Sequence, residues 1–225
     1  GYSLTSSTKE DTMFILYGET TRNGKTTLIE TLLKMFGNYG KPATPETFAI
    51  KKFADSRAAR GDLARLRGAR IVNSPELPKE MIVDSAQLKT LTGGDTITVR
   101  DLYEKNFEYK PEFKIFLTTN HFPQITDESV WESNRVNVIS FNRHFGFEEQ
   151  DKNLKTKLCQ KEVLSGIFNW CIEGLKAYRA EGLNPPVCIL SDNEKYQKGC
   201  DYISHFLSEC FEKTGNSTKL NDVYS

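Results

Sequence analysis

The stretch from Gly18 to Thr27 constrains the fold of this chain more than any other. It reads Gly-Glu-Thr-Thr-Arg-Asn-Gly-Lys-Thr-Thr and follows the apolar run Met13–Tyr17, which predicts a short buried strand. After it, apolar residues recur at helical spacing as far as Phe36, and Gly37 is placed to end a helix. A strand, a glycine-bearing loop, Gly-Lys-Thr and a helix, in that order, form the pattern of a phosphate-binding loop.

Each part of this stretch suits the binding of nucleotide phosphates. The backbone amides of the loop and of the helix N-terminus can point at anionic oxygens, Lys25 adds a positive charge, and the Thr26 hydroxyl can ligate Mg²⁺. Five residues separate Gly18 from Gly24 where the usual spacing has four, so either Glu19 takes the place of the first glycine or the loop is one residue longer. The candidate nucleotide-binding residues are Gly18, Thr20, Thr21, Arg22, Asn23, Gly24, Lys25, Thr26 and Thr27.

Two further apolar runs lead to polar residues where ligands bind in α/β sheets. The run Ala69–Asn73 predicts a second strand with Glu76 just past its end, and Phe113–Asn120 predicts a third. Because ligands sit at the carboxyl ends of strands in open α/β sheets, Glu76 and Asn120 are expected at the same edge as Lys25. There Glu76 can orient Mg²⁺ or a water, and Asn120 can hold a water against a terminal phosphate. The ordinary alternative for Glu76 is a surface residue in a turn.

A projecting hairpin is the candidate nucleic-acid contact. Ile97–Leu102 is a strand-like run, and Tyr103–Tyr109 predicts the tip and return of a hairpin. A lysine among aromatic residues on such a hairpin suits single-stranded nucleic acid, which makes Lys105, Asn106 and Phe107 the candidates. Cross-strand aromatic packing is the alternative, and it would suit Tyr103 and Tyr109 in particular.

The bulk composition limits partners and compartment. Lys plus Arg equals Asp plus Glu, 30 against 30, so any contact with a polyanion must come from a local patch. Lys51–Arg70 is basic and is either a solvated face or a surface that faces a polyanion or a subunit. The five cysteines, odd in number and without close pairs, predict free thiols in a reducing compartment. No apolar run reaches membrane-spanning length and no signal peptide is visible, which predicts an intracellular soluble protein.

The two ends of the chain differ from its middle. Gly1–Thr12 is polar and predicts a linker or an end of the chain. From about Glu149 the chain becomes helical, Gly182–Pro186 interrupts it, and a last amphipathic helix is expected over Tyr202–Phe211. The helix before the interruption has an apolar side that predicts a packing face, formed by Val163, Leu164, Ile167, Phe168, Trp170, Cys171 and Leu175.

Taken in order, several of these motifs resemble the helicase portion of phage and plasmid primase-helicases of the poxvirus type, which belongs to helicase superfamily three. The likeness extends over approximately Phe14 to Tyr202, and the Thr-Gly-Gly-Asp block with Arg100 and Tyr103 is its most specific part. The matching segments are Leu16–Gly18, Arg22–Lys25, Ala69–Val72 with Glu76, Leu91–Asp95 with Arg100 and Tyr103, Leu117–His121 with Pro123, and Arg135–Phe141.

This resemblance implies an α/β fold of the P-loop NTPase class, AAA+-like, with a central mostly parallel sheet flanked by helices, a projecting β-hairpin and a C-terminal helical region. It divides the chain into a linker (1–12), an ATPase core (13–148), a helical part of the core (149–200) and the start of a winged-helix-like region (201–225). The implied activity is that of an ATP-dependent DNA helicase motor. Such a motor hydrolyses ATP with Mg²⁺ between the subunits of a ring, usually a hexamer, and translocates on single-stranded or forked DNA. A primase domain in the same full-length chain and the cytoplasm of a bacterial host would go with it.

The resemblance also implies roles for single residues. Lys25 and Thr26 would hold the phosphates and Mg²⁺, Glu76 would fill the acidic position that serves both metal and water, and Asn120 would be the sensor asparagine. Lys105 would be the leading candidate for a DNA contact. Arg135 is the first candidate for the arginine finger supplied to a neighbouring subunit, and Arg143 is the second, since Asn134 stands where the family often has another arginine.

Two other functions stay open at this point. One is a small-molecule phosphotransferase of the P-loop kinase type. Stimulation of the ATPase activity by DNA would distinguish a helicase from such an enzyme. The other is a non-catalytic initiator module that uses ATP only to assemble on DNA, for which slow turnover and ATP-dependent oligomers would be the sign.

Overall fold

The computed structural model describes residues 1–51 and 59–200, and over those residues the chain alternates strands with helices. The strands are β1 (Met13–Tyr17), β2 (Gly40–Pro42), β3 (Ile71–Pro75), β4 (Ile97–Val99), β5 (Phe107–Tyr109), β6 (Lys114–Thr119) and β7 (Val136–Ser140). The helices are α1 (Lys25–Phe36), α2 (Gly61–Ala64), α3 (Ser85–Thr92), α4 (Glu128–Glu132), α5 (Leu154–Leu158), α6 (Lys161–Glu181) and α7 (Val187–Cys200). Short 3₁₀ turns lie at Tyr2–Leu4, Gly37–Tyr39, Pro45–Thr47 and Phe147–Glu149.

Five of the strands form a sheet in the order β2-β3-β6-β1-β7, in which every neighbouring pair is parallel. The prediction of an α/β fold with a central, mostly parallel sheet is therefore confirmed. The strand β2 is an edge strand of only three residues that ends in Pro42, so its sequence gives little sign of a strand.

Alternating side chains of the central strands enter two cores. Ile15, Val72, Ile115 and Val138 belong to the larger cluster, which also includes residues of α3. Leu16 and Ile71 face the other way and pack with Ile29 of α1. Parallel strands buried on both faces read as nearly continuous apolar runs, which is why the sequence pattern locates them well.

The N-terminal segment Gly1–Thr12, predicted as a linker or an end of the chain, packs against the body of the protein through Tyr2. The buried Tyr2 ring lies 4.8 Å from the ring of Tyr178 on α6. The ammonium group of Lys114, at the start of β6, is 4.5 Å from the Tyr2 ring centroid and donates a hydrogen bond to the carbonyl of Thr5. Burial of Lys114 lowers its pKa to about 7. These contacts anchor a segment whose polar composition had indicated none of them.

The C-terminal helices agree only in part with the sequence pattern. The predicted packing face of α6 buries Cys171, yet Phe168 and Trp170 are exposed. After Gly182, the helix α7 covers the edge strand β7, because Asn193 accepts a hydrogen bond from the Val138 amide at 2.8 Å. The helix expected over 202–211 and the winged-helix-like region over 201–225 lie outside the described residues. Within the described ranges, no helix has the length and apolar character needed to cross a bilayer.

Candidate nucleotide-binding site

The sheet order brings the ends of three chain-distant strands side by side. In the order β3-β6-β1, Glu76 follows the end of β3, Asn120 follows the end of β6, and Gly18 follows the end of β1. Because the three strands are parallel, all three residues lie at the carboxyl edge of the sheet, which is the edge where ligands bind in folds of this kind.

The loop after β1 leads directly into α1, whose first residue is Lys25. Gly24 precedes it with a φ of 90°, a left-handed conformation that glycine adopts without steric cost. The Lys25 side chain is only 5% exposed, and its ammonium donates to the Gly18 carbonyl at 3.2 Å and to Asn23 Oδ1 at 3.1 Å. Burial lowers the pKa of Lys25. A phosphate would supply the opposite charge that these neutral oxygens lack.

The loop itself is braced from within. Asn23 is buried, donates to the Thr20 carbonyl at 2.6 Å and accepts from Lys25. A Cβ at Gly18 would lie 2.1 Å from Asn23 Nδ2 and 2.9 Å from the Phe141 carbonyl, so only glycine fits there. Arg22 takes a left-handed φ of 56°, which is uncommon for a residue other than glycine. The close packing at Gly18 favours the alternative in which Gly18 is the first glycine of a loop that is one residue longer.

Asn120 is held against the same loop. Its amide donates to the Gly18 carbonyl at 2.5 Å and to the Thr20 carbonyl at 2.8 Å. The side chains of Asn120 and Lys25, which are 95 positions apart in the sequence, therefore share one acceptor, the Gly18 carbonyl oxygen. Both are hydrogen-bond donors at a site whose ligand would be anionic.

Glu76 is placed by its backbone. Its amide donates to the Thr118 carbonyl at 3.0 Å, its φ is 52°, and its side chain is exposed at the carboxyl edge. Next to it lies a buried polar pair that the sequence analysis missed, in which the Thr118 hydroxyl donates to Asn73 Oδ1 at 2.8 Å. The signal was a polar residue inside an apolar strand, since Asn73 lies on the same face of β3 as Ile71, toward α1.

The donors that Mg²⁺ prefers are present at this edge. The Thr26 side chain is exposed at the start of α1, Glu76 offers a carboxylate, and both are oxygen ligands of the kind that Mg²⁺ takes together with substrate phosphates. Within residues 1–51 and 59–200, no cluster of three or more His, Cys, Asp or Glu side chains could hold a metal by itself. A metal at Thr26 and Glu76 would thus depend on phosphate oxygens.

The segment after β7 closes the other side of the loop, and no motif of the sequence indicates this contact. The His144 ring is hydrogen-bonded to the Thr21 carbonyl at 2.8 Å, and the Phe145 amide donates to the Arg22 carbonyl at 3.0 Å. Arg143, on the same segment, is 69% exposed along its side chain and pairs with Glu149 at 2.6 Å. Backbone and ring contacts of this type leave no signature in a sequence.

Arg135, the first candidate for an arginine finger, is not brought to this edge. It precedes β7 and therefore lies at the amino edge, where it donates to the Thr92 hydroxyl at 2.7 Å and pairs with Asp11 at 3.4 Å. Its side chain is only 14% exposed. A finger must reach out of its own subunit, so this placement favours Arg143 over Arg135. The Thr-Gly-Gly-Asp block also has a structural role, because its Thr92 is the last residue of α3 and accepts the hydrogen bond from Arg135.

The predicted hairpin is present as the antiparallel pair of β4 and β5, joined by residues 100–106. Its second strand leads into the start of β6, so it rises from the edge of the sheet opposite the phosphate-binding loop. Lys105 and Asn106 are exposed, whereas Phe107 is partly covered because the Arg67 guanidinium lies 5.4 Å from its ring centroid. Of the three candidate nucleic-acid contacts, the structure thus leaves two fully accessible.

Curated relatives of this chain are proteins of large DNA viruses. One, named "Putative helicase", comes from Acanthamoeba polyphaga mimivirus and is 28% identical over 98% of this chain and 25% of its own length. A second with that designation comes from Frog virus 3 and is 27% identical over 96% of this chain and 24% of its own length. The chain thus spans about a quarter of these relatives. Their names confirm the predicted likeness to helicases of the primase-helicase type. Their sources are viruses of eukaryotes, which lend no support to the predicted bacterial cytoplasm.

Solved structures with a similar arrangement include the C-terminal region of NrS-1 and JCV helicase. The first is 21% identical, with a TM-score of 0.47 over 69% of this chain and 34% of that chain. The second is 12% identical, with a TM-score of 0.39 over 86% of this chain and 52% of that chain. A family model described as a family of unknown function, DUF5906, matches residues 16–135, which run from the end of β1 to the start of β7 and include Gly18, Lys25, Glu76 and Asn120. The chain belongs to this DUF5906 family.

Proposed function

We propose that the chain is the motor domain of an ATP-dependent DNA helicase. In this proposal residues 13–148 form the ATPase core, with 149–200 as its helical part. The observation that carries the proposal is the meeting of Lys25 and Asn120 on the Gly18 carbonyl, with Glu76 at the end of the adjoining strand. A positive charge, an amide and a carboxylate at one strand edge are the groups that hydrolysis of a terminal phosphate requires. The viral relatives named as helicases support the same class of activity.

In the proposed reaction, the triphosphate of ATP takes the place of the Gly18 carbonyl as the partner of Lys25. Mg²⁺, held by Thr26 and Glu76, would neutralise part of the phosphate charge when bound. Glu76 orients a water in line with the γ-phosphate and accepts its proton, while the amide of Asn120 turns from the loop toward the water or the γ-phosphate. The bond from the β,γ-bridging oxygen to the γ-phosphorus breaks, which yields ADP and inorganic phosphate.

Hydrolysis between the subunits of a ring, usually a hexamer, extends this proposal. Arg143 is the finger candidate that the exposure of its side chain favours, because it can reach a neighbouring subunit once it leaves Glu149. An arginine supplied in this way increases turnover by roughly a thousandfold or more. The segment that carries Arg143 also contacts the phosphate-binding loop through His144 and Phe145, so occupancy of one site can influence the position of the finger.

Single-stranded or forked DNA is the proposed track, and the β4–β5 hairpin is its proposed contact. The hairpin rises from the edge of the sheet opposite the nucleotide, and Lys105 presents an exposed positive charge near its tip. A lysine of this kind holds a phosphate of the strand without reading its sequence.

Stimulation of ATP hydrolysis by single-stranded DNA tests this proposal. We expect wild-type turnover to rise when the strand is added, because a translocating motor couples hydrolysis to the strand. In Lys105→Ala, the rate with DNA should exceed the rate without DNA by much less than in the wild type. The slope of log DNA affinity against log salt concentration should also become shallower by about one for each Lys105 that contacts a phosphate.

The matched control is Lys198→Ala, since Lys198 is an exposed lysine on α7 away from the hairpin. This variant should keep the wild-type response to DNA. A wild-type ATPase that ignores DNA, and instead transfers phosphate to a small molecule, would contradict the helicase proposal in favour of a phosphotransferase. An initiator module would be favoured if ATP hydrolysis stayed slow in the presence of DNA and the chain formed oligomers on DNA only when ATP was bound.

A further inference from the structure

The tip of the β4–β5 hairpin exposes two apolar side chains. Tyr103 is 98% exposed and Leu102 is 64% exposed, although both are large enough to contribute to a core. Tyr109, on the returning strand of the same hairpin, is buried. The sequence alternative, in which Tyr103 packs across the strands, therefore does not hold for this residue. An exposed apolar tip of this kind marks a contact surface more often than an accident of packing.

The backbone at the tip is held in a specific turn. Tyr103 has a φ of 64°, a left-handed conformation that is unusual for a residue with a bulky side chain. The Asp101 carboxylate accepts from the Leu102 amide at 2.8 Å, and the Asp101 carbonyl accepts from the Glu104 amide at 3.2 Å. Strained backbone of this type is retained where a side chain must be presented in one direction.

The base of the hairpin is fixed to the body of the protein. The Tyr109 hydroxyl donates to the Leu63 carbonyl at 2.7 Å, and the Arg60 amide donates to the Arg100 carbonyl at 2.9 Å. The Phe107 ring lies beside that of Tyr109, with centroids 6.1 Å apart, and beneath the Arg67 guanidinium. The aromatic residues near the base thus support the hairpin, whereas the Tyr103 ring at its tip is exposed among the described residues.

We propose that Tyr103 is the base-stacking residue of this protein, and that the hairpin therefore recognises the bases of a single strand as well as its phosphates. The proposal rests on the function proposed above and makes it more specific. The tyrosine ring stacks on the face of an unpaired base, with Leu102 as an apolar flank, and Lys105 holds a neighbouring phosphate. Every base has a π-face, so this contact tolerates any sequence but requires that a base be present.

Binding to an abasic strand separates the two parts of this contact. The 225-residue chain is titrated, with a non-hydrolysable ATP analogue and at fixed salt, against labelled oligo-dT and against an abasic deoxyribose-phosphate strand of the same length. Tyr103→Ala should weaken binding to oligo-dT by about tenfold, the equivalent of one lost stacking contact, and leave binding to the abasic strand as in the wild type. Lys105→Ala should weaken binding to both strands.

Two further variants separate the ring from the backbone. Tyr103→Phe keeps the ring and should bind oligo-dT as the wild type does. Tyr103→Gly removes the ring and relieves the left-handed strain, so it should match or exceed the wild-type melting temperature and still lose the preference for oligo-dT. A preference that Tyr103→Gly retains would overturn the proposal even though the hairpin is intact.

The proposal would also be overturned if Tyr103→Ala lost affinity for both strands to the same extent. It would likewise be overturned if Phe107→Ala lost the preference for oligo-dT and Tyr103→Ala kept it. A wild-type chain that binds both strands equally, with Lys105→Ala weakening both, would end the stacking proposal and leave the motor proposal standing. Binding to neither strand would end both.

Discussion

Replacement of Lys25 by alanine should abolish ATP binding at concentrations that saturate the wild type. Lys25 is the only residue of the loop that brings a full positive charge to the Gly18 carbonyl, where its ammonium lies 3.2 Å from the oxygen. Loss of two charge-assisted hydrogen bonds to phosphate should weaken binding about a hundredfold or more. Isothermal titration with a non-hydrolysable ATP analogue and Mg²⁺ measures this directly.

The matched control is Lys34→Ala, because Lys34 is an exposed lysine in the last turn of the same helix. It should bind the analogue with wild-type affinity. The structure also indicates that Lys25→Ala will fold, since alanine favours a helix and Gly24, which precedes the helix with its left-handed φ, is unchanged. Unchanged affinity in a folded Lys25→Ala variant would mean that the loop does not hold the triphosphate.

Replacement of Glu76 by glutamine should separate binding from turnover. The change keeps the size of the side chain and its exposed position after β3, but it removes the carboxylate that would accept the proton of the attacking water. We expect ATP affinity within a few-fold of the wild type and a loss of about a hundredfold to ten-thousandfold in the rate of hydrolysis, the range that general-base groups contribute. Phosphate release under single-turnover conditions measures the rate.

The control for this variant is Glu80→Gln, since Glu80 is an exposed glutamate in the same connection between β3 and α3. It should hydrolyse ATP at the wild-type rate. Turnover near the wild-type rate in Glu76→Gln would remove Glu76 from the chemistry and direct attention to the neighbouring pair of Asn73 and Thr118.

The carboxyl edge of the sheet was predictable because each of its components is local in sequence. A buried parallel strand appears in the sequence as an apolar run, and the residue that follows the strand lies at the carboxyl edge of the sheet. Lys25, Glu76 and Asn120 were each expected beyond the carboxyl end of a different strand, and the sheet order makes those three strands neighbours. The boundaries were predicted less well than the strands themselves. The strand predicted over Ala69–Asn73 is β3, which covers Ile71–Pro75 in the structure.

Contacts between distant segments were not predictable in the same way. The ion pair of Arg135 with Asp11 joins residues 124 positions apart and holds the Arg135 side chain at the amino edge of the sheet. Tyr2 lies in a polar segment, yet its ring is buried against Tyr178. The hydrogen bond between the His144 ring and the Thr21 carbonyl could not be predicted either, because every residue carries a backbone carbonyl that could accept it.

The most direct test of the account is a crystal structure of the protein with Mg²⁺ and a non-hydrolysable ATP analogue. The account predicts the triphosphate on the loop from Gly18 to Thr27, with the Lys25 ammonium about 3 Å from phosphate oxygens and no longer bonded to Gly18. It also predicts the Asn120 amide and the Glu76 carboxylate on the two sides of the γ-phosphate. A triphosphate bound elsewhere, or a γ-phosphate that neither Asn120 nor Glu76 approaches, would contradict it.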